Sequence, residues 1–586
     1  MALQKNFHVL AHTLDIADVG QRHRDHLVVR LETNGIGDIG GGRSRPAAQK
    51  TEGKYHAEGH EDRHEADKGH LHLKHHGRTA GRGRTCRDKT FGSRTARRRA
   101  GHGRPMRQQQ PDRQHQQGQR SGNESRCRDD TFLPRIHNLT KVRKKVYLYG
   151  QMNLKIMKKL LSIPLLLVTS LLFAQQPAPV QIPDYTVNIR DFGAVADGIT
   201  LNTQPFERAV AALQKAGGGH LVVPEGLYLT GPITLKDCMD LHLERGAMIL
   251  FTPDRDLHRD KKGKVRPGIS ASKRHDVSIS GEGIIDGNGA WWRPVKRSKV
   301  SDVEWKAFLE KGGTVTDDGS LWYPDSGEKD RLRTHLVRFT DCQRVSVTGV
   351  TIQNSPKFHL VPNNCEDVSI EGVTIRCPWN AQNGDGIDIM QSRRVVVRRC
   401  SVDVGDDGIC LKAGAGEAAL KYGPCKDILI EYNTVFHAHG GFVIGSEFSG
   451  GMENITVRHN TFSGTDTGLR FKSAPERGGT TRNIRISDII MNDIQKEAIV
   501  FETTYADRPA GHENNQAATT DNFLPDFQDI VMERITCWGA RTAIRASGNL
   551  QMIHDITVKN AIFHVWSKGT EIDEARMMTF ENVSIH

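Results

Sequence analysis

The sequence predicts an all-β chain: a single right-handed parallel β-helix with an N-terminal capping helix and a long loop insertion. Three observations point there. Short β-rich phrases recur, with DVSISG at 276, RVSVTGVTI at 344, DVSIEGVTI at 367, RVVVRRCSV at 394, DILIEYNTV at 427, NITVRHNTF at 454, NIRISDIIM at 483, DIVMERITC at 529 and DITVKNAIF at 555. From 344 onward the steps are 23, 27, 33, 27, 29, 46 and 26 residues. Such irregularity is foreign to propeller blades and natural to coils that absorb extra length in their turns. Finally, long amphipathic helical stretches are almost absent, apart from NTQPFERAVAALQKAGG at 202–218.

Each phrase has alternating β-branched residues, a Gly, Asn or Asp turn, and a second alternating run, the pattern of two short strands joined at a corner. The amphipathic stretch at 202–218 is expected to cover the open N-terminal end of the core, as the terminal unit of a repeat must. Two stretches break the pattern. Residues 254–335 carry WWRPVKR and DDGSLWYPDSGEKDRLR and are expected to rise as a wall beside one face; residues 506–526 form a second, polar loop.

Charge divides the 586-residue chain before any motif does. Its net charge of +12 belongs to residues 1–151, with 31 Lys and Arg against 16 Asp and Glu, while 152–586 are nearly balanced. The first part is a basic low-complexity extension without a hydrophobic period; it is read as disordered or as an upstream segment wrongly included in the chain. Its basic character would suit nucleic acid, but the adjoining segment favours the blander reading. Residues 157–174, MKKLLSIPLLLVTSLLFA, have a cationic start, a short apolar run and a small residue before QQPAP, which is the pattern of a secretory signal peptide within 152–174. Leu172 is larger than the usual residue at its place in that pattern, and an uncleaved signal anchor is the alternative. Residues 175–586 would then be the mature chain, periplasmic or secreted from a bacterium. It would lack a membrane span or a nucleic-acid footprint, and a monomer is expected. Eight cysteines from Cys238 to Cys537 are widely spaced, so buried thiols and one or two disulfides both remain open.

The chemistry lies in a run of polar residues spaced like the coils. Asp407 follows Asp385 by 22 residues, His439 follows Asp407 by 32, and Arg470 follows His439 by 31. Stacked coils lie roughly 4.8 Å apart, so residues one coil apart form a ladder on one face. Singly, each has a duller reading: Asp beside Gly turns the chain, a lone His is usually structural, and Arg470 with Lys472 suits a solvated strand face. Together they meet a need. Cleaving a glycosidic bond takes paired carboxyl groups with separated pKa values, and Arg with Lys suits a substrate bearing carboxylates. Asp406 and Asp407 are adjacent, which a plain strand would send to opposite faces; Gly405 and Gly408 predict a bend or bulge that turns both to the cleft.

NGDGID (383–388), GDDGICLKAG (405–414), HGG (439–441) and RFK (470–472), in this order, resemble the four signature blocks of polygalacturonases, glycoside hydrolase family 28. NSPKFHL at 354–360 and GFVIGSE at 441–447 are also similar to family phrases, and the likeness runs from DFGAVADG at 191 onward. The resemblance implies a right-handed parallel β-helix that hydrolyses α-1,4-galacturonan with inversion. It implies Asp406 as general acid, Asp385 and Asp407 on the attacking water, and His439 tuning their protonation. Arg470 and Lys472 would bind a substrate carboxylate, with Tyr505 as an aromatic contact. Gly384, Ala438 and Phe471 depart from the family pattern, yet none removes a functional side chain. The implied partner is an acidic polysaccharide, galacturonan or pectin fragments, with no cofactor and no metal.

Three other functions compete. A calcium-dependent pectate lyase would use Asp385, Asp406 and Asp407 as ligands. A rhamnogalacturonan hydrolase shares the fold but tends to lack the His and the Arg-x-Lys pair. A non-catalytic β-helix adhesin would have no reason to align acids, His and cations on consecutive coils. Within the hydrolase reading, the insertion with Trp291, Trp292, Trp305 and Trp322 is expected to wall off one end of the cleft and impose exo-action; the alternative is that these rings pack their own loop.

Overall fold

The computed structural model describes residues 176–325, 332–505 and 522–586. The expected extension (1–151) and signal peptide (152–174) lie outside the described residues, as does most of the loop 506–526. The described chain winds as a right-handed parallel β-helix whose strands pair in parallel into one continuous sheet. A typical coil has three strands, for example Glu366–Glu371, Thr374–Arg376 and Ile387–Met390, each paired with its counterpart one coil on.

The recurring phrases mark corners as much as strands. Their first residues, Arg344, Asp367, Arg394, Asp427, Asn454, Asn483, Asp529 and Asp555, all have φ between 51° and 59°. The pairing steps over them, so that Gln343 faces Glu366 and Val345 faces Val368. Five residues later a second left-handed residue turns the chain again, at Gly349, Gly372, Arg399, Tyr432, His459, Asp488, Arg534 and Asn560. Asp, Asn and Gly tolerate this region best, which explains their frequency at the phrase boundaries. Between corners, alternate residues point inward, and Val345, Val347, Val368, Ile370, Val395, Val397, Ile428, Ile430, Ile455 and Val457 are all buried in one core. Toward the C-terminal end this core stacks rings, with Phe471 lying flat on Phe501 at 4.3 Å.

The helix Thr203–Ala216 covers the N-terminal end of that core, burying Phe206, Ala209, Val210 and Leu213 and stopping at Gly217 in the left-handed region, φ 89°. The span 254–335 needs correction. Ile269–Ser272, His275–Gly281 and Ile284–Asp286 form a regular coil inside it, so the insertion is two excursions, 254–268 and 287–335, of which 326–331 are not described. The second builds a small antiparallel sheet from Val295–Lys296, Thr314–Val315 and Leu321–Tyr323, beside the helix Asp302–Glu310. Its own core holds Val295, Val300 and Trp322, with Trp305 packed against it. The eight cysteines from Cys238 to Cys537 are free thiols, six of them buried.

Candidate active site

Strands Ile387–Met390, Ile409–Lys412, Phe442–Gly445 and Leu469–Lys472 are successive rungs of one face, with Ile387 opposite Ile409, Ile409 opposite Phe442, and Phe442 opposite Leu469. The chain enters each rung through the same corner, and the candidate residues collect there. Asp385 and Asp407 each lie two residues before the paired position. Asp406, His439 and Asp466 each lie three before. His439 therefore stands in line with Asp406 rather than with Asp407, and its backbone N–H donates to the Asp406 carbonyl at 2.8 Å. Arg470 and Lys472 project from the next strand, opposite Val443 and Gly445.

Residues 404–408 form a bend between Ser401–Asp403 and Ile409–Lys412, not a bulge within a strand. The glycines are there for proximity rather than for an unusual φ. A Cβ on Gly405 would meet the Pro378 carbonyl oxygen at 2.6 Å, and one on Gly408 would meet Val435 Cγ1 at 2.6 Å. Because these neighbours press so closely, both adjacent carboxyls can turn toward the same corner.

Each acid has different company. Asp407 is buried and accepts from Lys472 Nζ at 2.8 Å and from Arg470 at 3.4 Å. Burial pushes its pKa up, but these two cations outweigh burial and keep it below the usual range. Asp406 accepts from the backbone N–H of Asp407 at 3.0 Å and of Asn383 at 3.2 Å, and its Oδ1 lies 2.9 Å from His439 Nδ1. Burial again acts upward, and His439, followed by Lys472 and Lys299, draws its pKa well down. Asp385 goes the other way: burial, reinforced by Asp388 and Asp406, raises it far above the ordinary value, against Lys412 at 3.8 Å. The corner thus separates its carboxyl groups into ones held ionised and one that readily holds a proton, as acid–base chemistry requires.

Tyr505 lies beneath the cations, with Lys472 Nζ 4.8 Å and Arg470 Cζ 5.3 Å from its ring centre. A cleft of about 400 Å³ opens from His439 toward the C-terminal coils, past Arg470 and Tyr505 to Lys496, Glu497, Arg541 and Arg545. Asp406, Asp407 and His439 stand close enough to share a cation. Yet Lys472 and Arg470 already face Asp407, and both His439 nitrogens have partners, so the donor set is met by protein cations. This does not suit a calcium site, which takes six to eight oxygens.

Residues 296–570 match the family model for glycosyl hydrolases family 28. The chain is 29% identical over 395 residues to an exo-poly-α-D-galacturonosidase from Dickeya chrysanthemi, covering 62% of this chain and 64% of that protein's length. It is 24% identical to an endo-polygalacturonase from Pectobacterium carotovorum, covering 60% and 81%. A solved exopolygalacturonase from Thermotoga maritima superposes with a TM-score of 0.59 at 29% identity, over 70% of this chain and 94% of that one.

The structure adds members that pattern reading passed over. Asp388, Lys412 and Glu447 form a charged layer beneath this site, with Lys412 Nζ 3.4 Å from Asp388 and 4.0 Å from Asp407. Burial raises Asp388 to about 7, although Lys412 opposes it. Both were visible inside the signature blocks NGDGID and LKAG, as polar residues on strands otherwise apolar. Lys299 had no such signal. It comes from the second excursion and reaches His439 Nε2 at 2.9 Å.

Proposed function

We propose that the chain hydrolyses α-1,4-galacturonosidic bonds of polygalacturonan, with inversion at the anomeric carbon. The observation that carries this reading is the corner where Asp385, Asp406, Asp407 and His439 meet beside Arg470 and Lys472. Asp406 gives its proton to the leaving oxygen; its side chain is the more open of the adjacent pair, 15% against 2% exposed. Asp385 and Asp407 hold the attacking water, and Asp407, kept ionised by Lys472 and Arg470, is the member of the pair free to take the proton that the water sheds. Arg470 and Lys472, with Tyr505 beneath them, hold the carboxylate of a galacturonate unit in the open part of the cleft. Hydrolysis is proton-neutral, so the proton leaving Asp406 and the one shed by the water are exchanged through solvent before the next turnover.

The mode is exo. The second excursion approaches the corner from one side, with Lys299 Nζ bonded to the Gly405 carbonyl at 3.0 Å, and the cleft opens on the other. The tryptophans are not the wall they were expected to be. Trp292 and Trp322 are buried and Trp305 packs against the excursion's own core, so the alternative of loop packing holds for three of the four. Export to the periplasm or the medium fits a polymeric substrate that does not enter cells, and the signal-like stretch at 157–174 supports it; among the described residues no helix is long and apolar enough to cross a membrane. Product chromatography on a long oligogalacturonide tests substrate and mode together. Monomer or dimer alone is expected, and a ladder of intermediates would show endo-action. Proton NMR of the first-formed anomer tests inversion, and retention would overturn it.

A further inference from the structure

An acid beside a protonated histidine cannot do what Asp406 is asked to do. A cationic His439, 2.9 Å from Asp406 Oδ1, holds that carboxyl ionised, and an ionised carboxyl has no proton to give. The ring must be neutral, and its free nitrogen must be kept from taking a proton. That nitrogen is Nε2, and its neighbour is Lys299 Nζ at 2.9 Å.

Lys299 is firmly placed for this. Its ammonium also donates to the carbonyl oxygens of Gly405 at 3.0 Å and Trp379 at 3.4 Å. The turn that carries it, Arg297–Lys299, is pinned on both sides. Arg297 donates to the Val300 carbonyl at 2.9 Å and lies over the Trp305 ring at 5.7 Å, while Val300 is buried with Val295 and Trp322. An ammonium has donors only, so its contact with Nε2 requires that nitrogen to be an acceptor. The remaining ring proton must then sit on Nδ1, facing Asp406 Oδ1.

We infer that Lys299 is a positioning residue of the reaction, holding His439 neutral with its proton on Nδ1 so that Asp406 can carry a proton on its other oxygen. The inference rests on the hydrolase reading of this site. Before the step, protonated Asp406 accepts the His439 Nδ1–H at Oδ1 and offers the proton on Oδ2. After it, the carboxylate is received by that same Nδ1–H and by the N–H groups of Asp407 and Asn383. Without the Lys299 charge, one proton moves from Asp406 to the ring and the pair rests as an unproductive carboxylate and imidazolium. The other charges bearing on this pair are Lys472, Arg470, Arg333, Asp385, Asp388 and Asp407 on Asp406, and Asp466, Lys296 and Lys496 around Lys299. None of them is bonded to Nε2. Burial tends to lower Lys299 itself, and Asp406 and Asp466 oppose that.

The test uses the full chain labelled with ¹⁵N in its histidine rings, with the His439 signals assigned by their loss in His439→Gln. In the wild type near pH 6, His439 is expected to show a protonated Nδ1 and an unprotonated Nε2. In Lys299→Met the ring becomes doubly protonated, and kcat on oligogalacturonide falls about 10- to 100-fold with KM nearly unchanged. Lys299→Arg, which keeps a cationic donor, recovers part of kcat. An imidazolium or the opposite tautomer in the wild type overturns the inference, and that measurement needs no variant to fold. So does a Lys299→Met enzyme with unchanged kcat, or one whose KM rises while the ring keeps its single proton, which marks a loop anchor only. Wild type inactive on galacturonan with the expected ring state would sink the substrate reading and leave the proton placement standing.

Discussion

The coils and the second excursion supply the same site by opposite means. On the coils, Asp385, Asp406, Asp407, His439, Arg470 and Lys472 are placed by backbone pairing, rung on rung, over a continuous buried core. Such a position cannot slide along its strand without shifting the register against its neighbours. The excursion has a separate core of few residues and delivers one functional group, the Lys299 ammonium, at the end of a flexible stem. The difference teaches a division of labour: chemistry that must be exact in position sits on the ladder, while protonation and access are adjusted from a loop that can vary without disturbing it.

Breaking the ladder side should cost most. Asp406→Asn is isosteric and is expected to lower kcat about 10²- to 10⁴-fold with the fold intact, checked by initial rates and circular dichroism. Lys472→Met comes next. It removes the closest cation of buried Asp407, and kcat/KM should fall about 10- to 100-fold, with a lower kcat and, if the same ammonium also holds the substrate carboxylate as proposed, a higher KM.

How much of this was legible in the sequence obeys the same division. The β-helix was readable because its corners recur in sequence, and the ladder because Asp385 and Asp407 fall at one register position, 22 residues apart. The exact alignment of His439 with Asp406 was not, since it depends on a bend at 404–408 whose length no period reveals. Gly405 and Gly408 were read as conformational devices, yet they serve close approach between coils, a property of neighbours far along the chain. Lys299 was invisible for the same reason. It lies 140 residues from His439 in a stretch without repeat, and only tertiary packing brings the two together.

Smaller effects sharpen the comparison. The buried layer under the ladder predicts a pH signature in stability. Asp388 titrates near 7 when folded and near 4 when unfolded, so the folded chain keeps a proton that the unfolded chain has lost. Its contribution to stability therefore falls as pH rises from about 4 to about 7 and is level above that. Asp388→Asn should flatten that part of a plot of Tm against pH, and an unchanged slope would remove Asp388 from the explanation. Least of all, Arg541→Gln at the far end of the cleft loosens the bond from half-exposed Arg541 to buried Glu497, which Arg545 also holds. A rise of about two- to fivefold in KM is expected on long oligomers and none on the dimer.

One measurement goes to the centre. Wild type and Asp406→Asn are incubated with a long oligogalacturonide in the presence of a chelator, and products are followed by chromatography and ultraviolet absorbance. Saturated monomer or dimer from the wild type, no ultraviolet-absorbing product, and near-silence from Asp406→Asn are predicted. Unsaturated product, loss of activity on chelation, or an Asp406→Asn enzyme as active as the wild type would contradict a hydrolase whose acid is Asp406.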